Sequence, residues 1–317
     1  MNDTATDAPA TMRAITATAW GGPEVLAEAR VARPEPGPTE ILVRVHAVGV
    51  NPADWKIRAS GGFGPWGEPP ILGWDVSGVV EAVGFGVTLY APGDEVFGMP
   101  QFPQQGGGYA EYVAAPARRF ARKPAGLSHV EAAALPLAGL TAWQALVETA
   151  RLRAGRRVLV HAAAGGVGHL AVQIAKARGA YVVGTASGAK HDFLRFLGVD
   201  EPIDYTTTDF ARAVRDVDIV LDCYGGDYGT RSLPVLRDGG SLVTLPSPDD
   251  VPASVRGIRT GFTLVEPDYA GLLALAALVE AGQLRPEVDT VLPLAEAAEA
   301  HALGESGRTR GKLVLTV

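Results

Sequence analysis

Residues 157–190 read RVLVHAAAGGVGHLAVQIAKARGAYVVGTASGAK, and no other stretch narrows the choice of fold so far. Val158 to Val160 is an apolar, β-branched run of the kind that forms a buried strand. Gly165, Gly166 and Gly168 follow, and then Leu170, Val172, Ile174 and Ala175 recur at helical spacing until Gly179 closes the pattern. Tyr181 to Thr185 starts a second strand. Strand, glycine turn, helix, strand is one βαβ unit. Its strands run parallel, so the chain is α/β, with a doubly wound Rossmann sheet as the expected architecture.

The turn fits the dinucleotide fingerprint as Ala163-x-Gly165-x-x-Gly168, with Ala where the first Gly usually stands. Such glycines allow a tight turn, a close approach of backbone to pyrophosphate, and close packing of helix on sheet. Ala164, Gly165, Gly166 and Val167 are therefore the expected pyrophosphate contacts, at a helix N-terminus that favours negative charge. An NAD site places Asp or Glu near the end of the second strand, for the ribose hydroxyls. Here that strand runs into Gly184-Thr185-Ala186-Ser187 without an acid. Ser187 and Lys190 suit a phosphate instead, with His191 as a helper, so NADP(H) is the expected cofactor. The plainer reading of Lys190 is a solvated charge at the start of the next helix.

Other classes are disfavoured by composition. A net charge of −7 without a basic block argues against nucleic acid. One cysteine, Cys223, forms neither a disulfide framework nor a cysteine zinc site within one chain, and suits a reducing cytoplasm. No apolar run is long enough to span a membrane, and the first residues lack the pattern of a signal peptide.

AAAGGVGHLAVQIAK resembles the signature of the zinc-independent quinone oxidoreductase and alkenone reductase branch of the medium-chain dehydrogenase/reductase superfamily. The resemblance extends from about Met12 to Val317. It implies a disordered tail over 1–11, a GroES-like, partly open β-barrel catalytic domain over 12–135, and a Rossmann NADP-binding domain over 136–265. A C-terminal segment, 266–317, would return to the catalytic domain. The strand-rich opening, including the alternating ILVRVHAVGV of 41–50, agrees with this.

The resemblance also suggests site residues. NPADWKIR (51–58) matches the family pattern Asn-x-x-Asp-x-x-x-Arg. Zinc-dependent members bring a metal-binding cysteine to this turn, and metal-free members bring Asn near the nicotinamide and substrate. That implies a catalytic role for Asn51. Lys56 stands where many members have Tyr, and is the expected hydrogen-bond donor to a substrate carbonyl or the nicotinamide ribose; read plainly, it is a solvated helix charge. Zinc dehydrogenases have Gly-His-Glu where this chain has Gly73-Trp74-Asp75, so no zinc is expected. Phe63 and Trp66, in a Gly/Pro-rich loop, either line a substrate pocket or form a satellite cluster, and Phe97 and Tyr109 are open in the same way.

Val130 to Val147 reads as one helix whose Thr141 matches a nicotinamide contact of the family, or else bonds back to its own preceding turn. Further strands are expected at Glu201–Tyr205, Asp218–Cys223, Gly240–Leu245 and Phe262–Val265. Tyr205 matches a family residue beside the adenosine phosphate, and Leu245 and Val265, at strand ends, are cofactor candidates. Gly311 and Lys312 resemble the Gly-Lys-x-Val ending that returns toward the nicotinamide. Arg308 stands where many members have His. The function implied is hydride transfer from NADPH, without metal, to a quinone or an α,β-unsaturated carbonyl, in a cytoplasmic homodimer. The alternatives are a non-catalytic, crystallin-like NADPH-binding protein and a zinc alcohol dehydrogenase.

Overall fold

A computed structural model describes residues 10–61 and 70–317, so Phe63 and Trp66 lie outside the described residues. β1 (Thr11–Ala17) and β2 (Leu26–Ala32) form an antiparallel ribbon. Single bridges from Ala14 to Ala110 and from Thr16 to Ile71 fasten it to the barrel. β3 (Glu40–Val50) follows, then α1 (Pro52–Ser60), β4 (Asp75–Val83), β5 (Glu95–Gly98), β6 (Tyr112–Pro116) and β7 (Phe120–Arg122).

The expected inside–outside alternation of β3 holds only over Val43 to His46; Ile41 to Val43 and Ala47 to Val50 are buried throughout. The cause is cover on both faces, by α2 (His129–Ala133) on one of them: a Cβ on Gly49 would lie 2.3 Å from the carbonyl oxygen of Ala133. The single helix expected over 130–147 is in fact broken. Pro136, without an N–H, starts a separate α3 (Pro136–Trp143), and the chain then widens into a π-turn over Gln144–Thr149.

The second sheet is built from β8 (Arg157–Val160), β9 (Tyr181–Ala186), β10 (Glu201–Asp204), β11 (Val217–Asp222), β12 (Leu236–Thr244) and β13 (Arg259–Phe262). α4 (Gly168–Ala177), α5 (His191–Phe196), α6 (Phe210–Ala213) and α7 (Tyr228–Ser232) connect the first five of these. All neighbours are parallel, in the order β10-β9-β8-β11-β12-β13. This is the Rossmann order, with its switch point between β8 and β11. The last strand ends earlier than the sequence suggests, so Val265 lies in the loop beyond it.

The chain then returns to the barrel. After α8 (Tyr269–Glu280), β14 (Val288–Pro293), α9 (Ala297–Glu305) and β15 (Lys312–Thr316) complete it, and β15 pairs antiparallel with β3. The final strand therefore joins the barrel sheet, in the order β14-β15-β3-β4-β5-β7 with β6 also on β3. One hydrophobic cluster runs from Ile15 and Val48 of the barrel through Leu140 to Val160 and Ile174 of the parallel sheet, which fixes the two sheets along a shared seam.

Candidate functional site

The glycine turn leaves β8 at the switch point. The residue in the left-handed conformation is Ala162, at φ 49°, one position before the Ala163 that the fingerprint alignment suggests. Ala162 accepts the N–H of Gly165 at 2.9 Å, which makes the bend. Gly168 is the position that tolerates no side chain, because a Cβ there would sit 2.2 Å from the Ala162 carbonyl oxygen. α4 begins at Gly168 with Val167 as its N-cap and no side chain capping it. The N–H of His169 is already on Gly165 O (3.1 Å), while those of Gly168 and Leu170 are left to an acceptor from outside the helix. His169 braces the turn. Its Nε2 accepts the N–H of Glu287 (3.0 Å), so Nδ1 carries the proton and donates to Gly165 O (2.8 Å). Burial holds this ring neutral, with its pKa lowered to about 4.

Against the turn lies a buried polar hub. Gly311, at φ 76°, donates its N–H to Ala164 O at 3.0 Å. Lys312 follows, and a Cβ on Gly166 would lie 3.3 Å from its Cδ. The Lys312 ammonium points into the barrel and donates to Val50 O (2.9 Å), Asp75 Oδ2 (3.1 Å) and Asn51 Oδ1. Asn51 Nδ2 donates to the same Asp75 oxygen at 2.8 Å, while Asp75 Oδ1 accepts the N–H of Leu137 (2.5 Å) and so anchors α3. Lys312 and Asp75 are only 3% and 0% exposed, an arrangement that tolerates no missing partner. Asn51, expected beside nicotinamide and substrate, is buried with both ends of its amide engaged. Its observed work is to hold Lys312.

Asp54 closes the N-terminus of α1. It accepts the N–H groups of Asn51 (2.7 Å) and Gly73 (3.0 Å), and burial raises its carboxyl to about 7. Burial, with this carboxylate nearby, raises the Tyr109 hydroxyl well above its ordinary range. A directional chain then runs outward. Arg58 can only donate, so His301 Nδ1 accepts from it (3.1 Å), and His301 Nε2–H donates to Tyr109 Oη (3.0 Å). Arg58 also donates to Gly21 O (3.0 Å) and to Glu305 (2.5 Å). The family-pattern arginine therefore ties α1 to α9. Tyr109 and Phe97 are fully buried and line no open pocket.

Lys56 lies on the exposed side of α1 and reaches across the seam to Pro246 O (3.2 Å), in the loop after β12. It thus faces the segment that begins with the half-buried Leu245. Thr141 is buried with its hydroxyl on Leu137 O (2.7 Å), the local back-bond, and Val265 is buried. At the end of β9, Ser187 is partly exposed and its side chain makes no cap hydrogen bond. Tyr205 follows β10 and is 52% exposed. Lys190 is not a free solvated charge: its ammonium donates to Arg308 O (3.1 Å) and Thr309 O (2.9 Å). His191 Nε2 is buried without a hydrogen-bond partner.

Other features stand apart from this seam. Cavities of about 450 Å³ beside Gln173 and Phe196, and of about 260 Å³ beside Arg13 and Val317, touch neither the turn nor Lys56. Ser77, His129 and Glu95 line up like a hydrolase triad (2.8 and 3.2 Å), but Ser77 is fully buried and its hydroxyl also bonds Val96 O. Burial raises the Cys223 thiol far above its ordinary range, which removes it as a nucleophile.

Residues 37–125 match the family described as an alcohol dehydrogenase GroES-like domain, and residues 197–315 the family described as a zinc-binding dehydrogenase. The quinone oxidoreductase of Coxiella burnetii superposes with a TM-score of 0.90 at 38% identity, over 97% of this chain and 100% of its own. The 2-methylene-furan-3-one reductase of Solanum lycopersicum is 36% identical over 97% of this chain and 79% of its own length. The quinone oxidoreductase of Homo sapiens is 33% identical, with 96% and 97% covered. The chain belongs to the medium-chain dehydrogenase/reductase superfamily. Like other medium-chain dehydrogenase/reductases it is an oxidoreductase built from a GroES-like and a Rossmann domain, and the family's cofactor is a pyridine nucleotide.

Among the described residues of this medium-chain dehydrogenase/reductase, the positions of the zinc-binding pattern are engaged in other bonds. Trp74 occupies the histidine position of the zinc-binding pattern and donates its indole N–H to Gln104 O (2.7 Å). Asp75 already serves three donors. Among the described residues, no three His, Cys, Asp or Glu side chains are grouped to hold a metal. The residues that sequence reasoning missed are Asp75 as an anchor, the Lys312–Asn51 bond, and the His169 and His301 braces. The partners of Lys312 lie 237 to 262 positions away, beyond any local pattern.

Proposed function

We propose that this chain is an NADPH-dependent reductase that needs no metal and acts on a quinone or an α,β-unsaturated carbonyl compound. The observation that carries this reading is the seat of Lys312: a protein cation is bonded to Asn51, Asp75 and Val50 O, the neighbourhood where zinc-type relatives use a metal. The nucleotide fits the donors on either side. The uncapped start of α4, with Ala164, Gly165, Gly166 and Val167, suits the pyrophosphate. Ser187, Lys190 and Tyr205, with the unpartnered His191 Nε2, suit a 2′-phosphate. Thr141, Leu245, Val265, Gly311 and Lys312 line the nicotinamide side of the seam.

When bound, the nucleotide supplies a hydride. Lys56 exchanges Pro246 O for the acceptor's carbonyl oxygen and stabilises the negative charge that collects there. Asn51 positions Lys312 and through it the turn, and solvent returns the proton. One of the two edge strands of the parallel sheet, β13, offers a surface for a homodimer, and the lone cysteine suits the cytoplasm.

The relatives named as quinone oxidoreductase and 2-methylene-furan-3-one reductase point to the acceptors to try. Oxidation of NADPH is followed at its nicotinamide absorbance against a panel of quinones and enones. Turnover is expected with NADPH, and Lys56→Met is expected to lower kcat/KM about a hundredfold while leaving nucleotide affinity unchanged. Tight NADPH binding without turnover on any acceptor would leave only a binding protein.

A further inference from the structure

We infer that Gln144 is a positioning residue for hydride transfer: its side-chain amide holds the loop after β13 so that the main chain of Val265 meets the nicotinamide end of the nucleotide. The inference rests on the nucleotide-binding reading above. Its starting point is a two-way bond across 122 positions of the chain. Gln144 Nε2 donates to the carbonyl oxygen of Glu266 at 2.8 Å, and Gln144 Oε1 accepts the N–H of Glu266 at 3.0 Å. Both main-chain groups of one loop residue are thus spent on one buried side chain.

The loop has little else to hold it. It leaves β13 with the N–H of Thr263 on Thr244 O (3.1 Å) and enters α8 at Asp268, whose carboxylate accepts the N–H groups of Ala270 and Gly271. Between those ends, among the described residues, the main chain of 264–267 is hydrogen-bonded by Gln144 alone. Val265, next to the clamped residue, is only 6% exposed, yet among the described residues neither its N–H nor its carbonyl has a partner. Main-chain groups of a buried residue are ordinarily paired. A free donor and a free acceptor on one residue match a primary carboxamide, which carries both an acceptor oxygen and N–H donors and is what the nicotinamide ring presents. The loop also stands at the carboxyl end of a parallel strand, where ligands of such sheets bind.

A buried amide that bridges a helix and a loop is ordinarily a packing device. Three observations set this one apart. The helix is irregular where the clamp begins: the π-turn starts at Gln144 itself, one turn after Thr141, and widened turns of this kind concentrate at functional sites. The amide grips main chain, so it fixes the course of the backbone through 265 rather than the packing of Glu266, which is exposed. And α3, which leads into the π-turn, is anchored at its other end by Asp75 on the N–H of Leu137. The clamp therefore passes the position of the Lys312 hub on to the loop, and with it the distance at which a hydride would be delivered.

The test is titration calorimetry of the full chain with NADPH and with 2′-phospho-ADP-ribose, the same nucleotide without its nicotinamide, in wild type, Gln144→Met and Gln144→Glu. Gln144→Met keeps the length of the side chain and removes both bonds. It should raise the NADPH Kd about tenfold, leave the Kd of the fragment within about twofold, and lower kcat about tenfold or more on any acceptor that the wild type reduces. Gln144→Glu keeps the acceptor and regains the donor only when its carboxyl carries a proton, so its loss of NADPH affinity relative to the fragment should shrink between about pH 8 and about pH 6. The loss in Gln144→Met should not change over that range, and Gln144→Glu alone decides the matter if Gln144→Met does not fold. A variant that weakens both ligands alike shows a structural brace, and one that binds and turns over NADPH as the wild type does shows no role; either overturns the inference and leaves NADPH use intact. A wild type that binds neither NADPH nor the fragment overturns the nucleotide-binding reading itself, and this inference with it.

Discussion

The glycine turn and the Lys312 hub lie in contact, yet they are made in opposite ways. The turn is contiguous backbone between β8 and α4, and its fit depends on the absence of side chains, as the 2.2 Å clearance at Gly168 shows. The hub is made of side chains from three distant segments, Asn51 to Asp54, Asp75 and Lys312, each useless without the others. The turn offers donors outward to a ligand. The hub spends its donors and acceptors inward, on itself. One region leaves backbone donors unspent, and the other holds that region against the barrel.

The largest effect should come from breaking the hub. Lys312→Met leaves the Asp75 carboxylate fully buried without its cation, and should cost about 3–5 kcal/mol of stability in urea unfolding. Adding Asp75→Asn should restore part of that loss, because the stranded charge goes with it. If Lys312→Met were neutral, the hub would not be a structural joint.

Acid should separate the regions next. Burial holds the rings of His161, His169 and His301 at about 3, 4 and 3, below the ordinary 6.5. The unfolded chain therefore binds three protons, between about pH 6.5 and 4, that the folded chain refuses. Asp54, raised to about 7, works the other way: in this window it is protonated when folded and ionised when unfolded. The net difference is two protons in favour of the unfolded chain. Stability should then fall as pH drops, by about 2.7 kcal/mol per unit near pH 5.5. Unfolding midpoints that are flat between pH 6 and 5 would show that these rings are not held neutral.

A third change addresses the turn alone. Gly168→Ala forces a Cβ toward the Ala162 carbonyl and should cost about 1–3 kcal/mol, with weaker nucleotide binding by calorimetry. Retained affinity would mean that the turn is less constrained than its clearances imply. The smallest effect is expected at Cys223, where Cys223→Ala should leave turnover unchanged and stability within about 1 kcal/mol.

This contrast also explains what the sequence discloses. The βαβ unit was legible because turn, helix and strand lie within 34 consecutive residues, 157–190, and their periodicities are local. The metal-site departure at Trp74 and Asp75 was legible through family resemblance. The split at Pro136 was visible as a residue type, but its effect depended on Asp75 anchoring Leu137 from 62 positions away. The burial of the Asn51 amide was not legible at all, since it depends on a lysine 261 positions later. Lys190 shows the same limit: its charge can be read from the sequence, but its hold on the carbonyls of 308 and 309 cannot.

The most direct measurement is turnover of exhaustively chelated protein, with NADPH and with NADH as donors and an enone or a quinone as acceptor. If Lys312 takes the place of a metal and Ser187 and Lys190 read a 2′-phosphate, as proposed, NADPH-supported turnover should survive chelation in full and exceed that with NADH. Activity that vanishes with the chelator and returns with zinc, or that is faster with NADH, would contradict that reading.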